Sequence, residues 1–180
     1  MNILITILLV IVGIITLLMI IALFTKKDYS ISRSITIDKP HQEVFNYIRY
    51  LKNQEEYSKW VMTDPNKKIE TKGTDGSVGF IYAWDGNKQA GKGEQEIKSI
   101  KENERVDVEV RFIKPFEGVA STPMVIESAG NGQTKVTWSM ISSMKYPMNI
   151  MLLLLNLESM LAKDLELSLA NLKRIVERVG

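Results

Sequence analysis

The 180-residue sequence predicts an α+β fold. A seven-stranded antiparallel sheet is expected to wrap around a long C-terminal helix, with two short helices after the first strand and one transmembrane helix in front. Three observations carry this expectation. Residues 2–25 contain no charged side chain. The middle of the chain alternates apolar and polar residues in short runs separated by turn signatures. From Met148 to Val179 there is neither Pro nor Gly, and apolar residues recur at three- and four-residue spacing.

The first element is the run Asn2–Thr25, NILITILLVIVGIITLLMIIALFT, of 24 residues. As a helix it is about 36 Å long, enough to cross a hydrocarbon core of about 30 Å with some tilt. A secretory signal normally opens with Lys or Arg, runs about 7–15 apolar residues and ends in small residues. Here the opening is Met1-Asn2, the run is longer, and the exit is Ala22-Leu23-Phe24-Thr25-Lys26-Lys27. The expectation is therefore an uncleaved single-pass anchor over 2–25. Lys26, Lys27 and Arg33 all follow it, and the positive-inside bias places the domain in the cytoplasm. A linker over 26–29 reaches roughly 14 Å at most, so a domain over 30–180 sits against the headgroups.

Every charged side chain lies after the anchor, 23 basic against 21 acidic, for a net charge of +2. Such balance speaks against a nucleic-acid binder, which needs a basic face or stripe. Charges alternate in sign, as in Lys92-Gly93-Glu94-Gln95-Glu96-Ile97-Lys98, the mark of a solvated surface. With no cysteine in the chain, disulfides and thiol chemistry are excluded.

Within the domain, Ile31–Ile37 alternates at period two and Asp38-Lys39-Pro40 ends it. His41–Ile48 then shows helical spacing, with Pro40 at its entrance, and Asn53–Lys59 reads as a second short helix. Val78, Phe80, Tyr82 and Trp84 share one face of a strand closed by Asp85-Gly86-Asn87. Gly91–Ile100 follows, with Lys92, Glu94, Glu96 and Lys98 outward and Gln95 and Ile97 inward, and Asn103 in the next turn. Val106–Phe112 is the cleanest alternation. Gly118–Glu127 and Thr134–Ile141 complete a meander through the tight turn Gly130-Asn131-Gly132. Pro147 opens the final helix, with a stripe through Ile150, Leu154, Leu157, Leu161, Leu165, Leu169, Leu172, Val176 and Val179. It suits packing on a sheet.

This order of elements is that of the helix-grip fold. Three segments resemble the polyketide cyclase/dehydrase-like branch of the START-like (SRPBCC) superfamily: SRSITIDKPHQEVFNYI at Ser32–Ile48, TKVTWSM at Thr134–Met140 and LELSLANLKRIVE at Leu165–Glu177. The resemblance runs from Ser30 to Val179 and consists of packing patterns, without a catalytic signature. It implies a cavity between sheet and helix for lipids, polyketides, hormones or other apolar molecules. The strand faces place Phe80, Tyr82, Trp84, Gln95, Val108, Val110, Phe112, Trp138 and Met140 around that space, a mostly apolar wall with a few polar groups. The expected role is a membrane-anchored, non-catalytic binding protein for a lipid or other hydrophobic small molecule. The resemblance also implies two alternatives: a cyclase- or dehydratase-like enzyme using the same cavity, and an interaction module related to chaperone-ATPase activators.

The catalytic inventory is thin. His41 is the single histidine, so metal ligation by a His/Cys cluster is excluded by count. Gly91-Lys92-Gly93 lacks the spacing of a phosphate loop, no serine sits in a nucleophile elbow, and no cofactor is expected. Asp107, Glu109 and Arg111 fall on the outer face; Tyr82 and Gln95 are the inward polar candidates, better suited to orienting a ligand than to moving protons. The segment MNIMLLLL, Met148–Leu155, is apolar around most of the helix. Met151, Leu152 and Leu155 cannot all face the sheet: either they fill a wide cavity end or they are exposed beside the bilayer.

Overall fold

The computed structural model describes residues 2–178; Val179, the last position of the predicted stripe, and Gly180, the end of the predicted domain, lie outside the described residues. Helix α1 (Ile3–Phe24) is long and apolar enough to cross a membrane. Ala22 is its one buried residue. A helix apolar all round yet uncovered does not match the core helix of a soluble domain, which hides such a surface.

Strand β1 (Asp28–Ile37) starts three residues after α1 and leads through Pro40 into α2 (His41–Ile48). A 3-10 turn at Leu51–Asn53 runs into α3 (Gln54–Tyr57). Then come β2 (Lys68–Lys72), β3 (Ile81–Asp85), β4 (Lys92–Lys101), β5 (Arg105–Lys114), β6 (Gly118–Ser121), β7 (Met124–Gly130) and β8 (Gln133–Ser143). Helices α4 (Ile150–Leu154) and α5 (Leu157–Arg178) close the chain. The sheet is antiparallel throughout, in the order β1-β8-β6-β5-β4-β3-β2, with β7 pairing β5 and β8. Helix α5 lies against β1 and α3, and Leu165, Leu169, Leu172 and Val176 enter one continuous core with Ile37, Phe45, Tyr57, Ile97 and Val136.

Four expectations change. Among the described residues the sheet has eight strands, where seven are expected and the alternating runs account for six. Pro123, which lacks an N–H for the ladder, divides the predicted Gly118–Glu127 strand into β6 and β7, and β2 is an added edge strand with every residue exposed. Val78 is exposed and precedes β3, because Gly79 turns the backbone at φ +84°. The predicted single C-terminal helix is two. Asn156 adopts a left-handed φ of +45° between them, and Leu154, expected in the buried stripe, is exposed.

Asn149 ties the end of α1 to the domain. Its buried side-chain amide donates to Ala22 O at 2.7 Å and Thr25 O at 2.9 Å. Met144 N–H donates to Lys27 O at 2.9 Å, and Lys26 pairs with Glu158 of α5. The register puts the start of β1 beside the end of β8, Asp28 opposite Ser143. It also pairs Lys92 with Lys114 and Ala120 with Ser142. The β3–β4 turn and the β5–β6 hairpin therefore lie at the same end of the sheet as α1.

On the outer face, where the alternation placed these charges, Arg111 holds Glu94 at 2.7 Å, Glu96 at 2.8 Å and Glu109 at 2.5 Å in one network. Arg111 lowers the Glu96 carboxyl below its ordinary value of 4.5. The Asp38 N–H, at 2.7 Å, followed by Lys173, does the same for Glu177. A depressed folded value gives stability that is present above the unfolded pKa and lost as pH falls through the folded one. The melting temperature should therefore drop as pH falls below about 4.5, and the drop should be shallower in a Glu96→Gln, Glu177→Gln variant. Parallel melts of the two proteins across this range would refute the assignment.

Candidate functional site

The inner face of β3, β4 and β5 is built from cross-strand rows. Trp84 stands opposite Gly93 and Gly93 opposite Phe112; Tyr82 stands opposite Gln95 and Gln95 opposite Val110. The rows share a face because side chains alternate along each strand. Gly93 allows the Trp84 ring to lie over the sheet: a Cβ there would come within 2.7 Å of Trp84 ring carbons and 2.6 Å of Arg111 O. The indole N–H of Trp84 donates to Ala90 O at 3.0 Å.

All nine predicted lining residues are brought to the interior side of the sheet. Phe80, Tyr82, Val108, Val110 and Trp138 belong to the continuous core; Met140 and Gln95 are also buried; Trp84 and Phe112 are half-buried at its edge. Between sheet and α5 stands an aromatic cluster. Tyr57 packs edge-on to Trp138 with ring centroids 5.9 Å apart, Trp60 does so at 5.8 Å, and Tyr47 lies 6.2 Å from Tyr57. Trp60 is oriented by donating to Asp164 Oδ2 of α5 at 3.0 Å. Two surface depressions lie elsewhere and include none of the nine: one of about 340 Å³ between β1 and α5, near Arg33 and Glu158, and one of about 390 Å³ beside Tyr47 and Val176.

A polar cluster joins α3 to the β3 side of the sheet. Tyr82 Oη donates to Glu55 Oε1 at 3.0 Å, and Lys67 Nζ lies 3.6 Å from Glu55 Oε2. The Lys67 side chain is only 5% exposed. Its loop is fastened by Asp64, whose buried carboxylate accepts from Asn66 N–H at 3.0 Å and Asn87 N–H at 2.7 Å. Burial first, and then the Glu55 carboxylate, push the Tyr82 phenol above its ordinary value, so it stays protonated as a hydrogen-bond donor at neutral pH. Beside it Gln95, 5% exposed, holds its Nε2 donor buried without a partner among the described residues.

An unpaired buried donor costs about 1–3 kcal/mol. An acceptor such as a carbonyl, ester or phosphoryl oxygen is the chemical complement of such a donor. Tyr82 and Gln95 were legible as inward polar groups. Glu55 and Lys67 were not: one sits in a four-residue helix and the other in a loop, where no periodicity indicates which way a side chain points.

No protein-family model matches the chain, and no curated protein matches it in sequence. Solved structures do match. Norcoclaurine synthase from Thalictrum flavum, solved with dopamine and hydroxybenzaldehyde, superposes with a TM-score of 0.66 at 11% identity, covering 89% of this chain and 93% of that one. Protein TTHA0849 from Thermus thermophilus gives 0.61 at 14% identity, over 84% and 99% of the two chains. Ara h 8.0201 gives 0.56 at 15%, over 83% and 97%. This is the helix-grip fold. Identities this low establish the architecture alone. Helix α1 stands in front of it.

Proposed function

We propose that this chain is a membrane-anchored binding protein for a lipid or other hydrophobic small molecule that carries a hydrogen-bond acceptor. The ligand is held without chemistry between β3–β5 and α5. The observation that carries the reading is the orphan Gln95 amide in apolar surroundings, beside the Tyr82–Glu55–Lys67 cluster. A buried donor tolerated without a partner fits a site built for a molecule that supplies one. The anchor is supported by the uncovered surface of α1 and by the Asn149 and Lys26 contacts, which build its end into the domain. Lys26, Lys27 and Arg33 favour the cytoplasmic side.

Native mass spectrometry of detergent-purified full-length protein tests the reading. The expected result is an apolar species that co-purifies or loads from a lipid extract and is lost on Gln95→Leu. A chain that stays bare after incubation with the extract would overturn it.

One observation favours a second reading, the cyclase- or dehydratase-like enzyme. Glu55 is a carboxylate within hydrogen-bond reach of an interior phenol and near a buried ammonium group, the kind of placement that general acid–base work requires. Turnover abolished by Glu55→Gln and by Tyr82→Phe, with ligand binding retained, would establish this second reading in place of simple binding.

A further inference from the structure

We infer that α4 forms a second lipid-facing contact, seated in the interfacial layer of the same bilayer that holds α1, so that the domain rests on the membrane in one fixed pose. This rests on the proposed anchor and extends it from a tether to a docked orientation.

Helix α4 follows α1 by more than 120 positions in sequence, yet Asn149 at its start is hydrogen-bonded to Ala22 O and Thr25 O (|i−j| 127 and 124). Ala22 is two positions before Phe24, the last residue of α1, and Thr25 follows it, so the contact lies at the last turn of α1. At that level Leu152 points inward, while Leu153, Leu154 and Leu155 are 54–63% exposed in succession. Asn156 then turns the chain into α5 with its left-handed backbone. Three neighbouring exposed leucines, at the end of a helix that contacts α1, make an apolar patch that water does not favour. Lys145 precedes the segment, and Lys26 pairs with Glu158 just beyond it, so basic groups stand beside the apolar surface where lipid headgroups would lie.

The rest of this end of the domain agrees. The β5–β6 hairpin carries the exposed Phe116 beside Lys114, and Lys26, Lys27 and Lys145 surround the junction with α1. Lysines there meet lipid phosphates, and their alkyl stems cross the apolar margin. The commitment is to lipid as the occupant of the α4 surface, because the helix bearing the patch contacts one that is itself apolar enough to span a bilayer.

The absence of cysteine makes site-specific labelling direct. Full-length single-cysteine variants Leu154→Cys, Leu9→Cys (in α1) and Glu102→Cys (in the β4–β5 turn, at the far end) would carry a nitroxide label. The protein would be reconstituted into vesicles of phosphatidylcholine and phosphatidylglycerol. The readout is accessibility to oxygen, which concentrates in lipid, against a water-soluble nickel chelate. The expected oxygen-to-nickel ratio at Leu154 is several-fold above that at Glu102 and below that at Leu9, as a site in the interfacial layer requires. A Leu154 ratio equal to Glu102, with Leu9 in lipid, overturns the docking while the anchor stands. All three sites in water would remove the anchor and the docking together. A Leu154 label shielded from both quenchers would show a protein on α4 and overturn the lipid assignment. Ligand occupancy by native mass spectrometry is read separately, so none of these outcomes is confused with failure of the proposed ligand binding.

Discussion

Trp138→Ala is expected to lower the unfolding free energy by about 3–5 kcal/mol, the usual cost of removing a large buried aromatic side chain. Trp138 is 3% exposed and projects from β8, which is paired with β1 on one side and with β6 and β7 on the other. A strand held on both sides cannot collapse into the vacated space, so the cavity term persists. The indole also makes two edge-to-face contacts, with Tyr57 at 66° and Trp60 at 72°, each worth about 0.5–1.5 kcal/mol beyond area. Since domains are stable by about 5–15 kcal/mol in total, the variant should be marginal at best. Denaturant unfolding of the full chain in detergent, followed by far-UV circular dichroism, measures this. A loss under about 1 kcal/mol would mean that α3 and α5 close onto β8 without the ring.

Gln95→Leu should act in the opposite direction. Most core substitutions destabilise, but here the amide leaves a buried Nε2 donor unpaired, and leucine, apolar and of similar size, removes that penalty. In delipidated protein a gain of about 1–3 kcal/mol is expected. Ligand occupancy should fall at the same time, by about tenfold for each 1.4 kcal/mol of lost hydrogen bonding. The pairing of higher stability with weaker binding is the diagnostic result. A Gln95→Leu protein less stable than the parent would show that the amide is satisfied in the ligand-free state, and the principal support for the binding reading would go with it.

Much of the fold was legible because strand faces are local. Gln95 and Ile97 inward against Glu94 and Glu96 outward follows from a two-residue period, and the same logic placed Asp107, Glu109 and Arg111 on the outer face. Where both faces of a segment are wet, that signal vanishes. β2, KIETK, has no buried residue and so no contrast to read. The break at Asn156 was hidden for a different reason. The apolar spacing continues through it, and asparagine is tolerated both in helices and at left-handed positions, so periodicity alone favoured one long helix over two.

The chain's local chemistry by itself determined an apolar helix long enough to cross a membrane, the inward and outward faces of the central strands, and an interior with few polar groups. Those features depend on residues within a few positions of one another, which share one backbone geometry. The tertiary structure alone decided which groups meet: Glu55 with Tyr82 across 27 positions, Asn149 with Ala22 across 127. Contacts of that range depend on the path of the whole backbone, set by burying the sheet's inner face against α3 and α5. That burial brings an acid and an amine to the rim of an apolar interior, and places three leucines beside the end of α1.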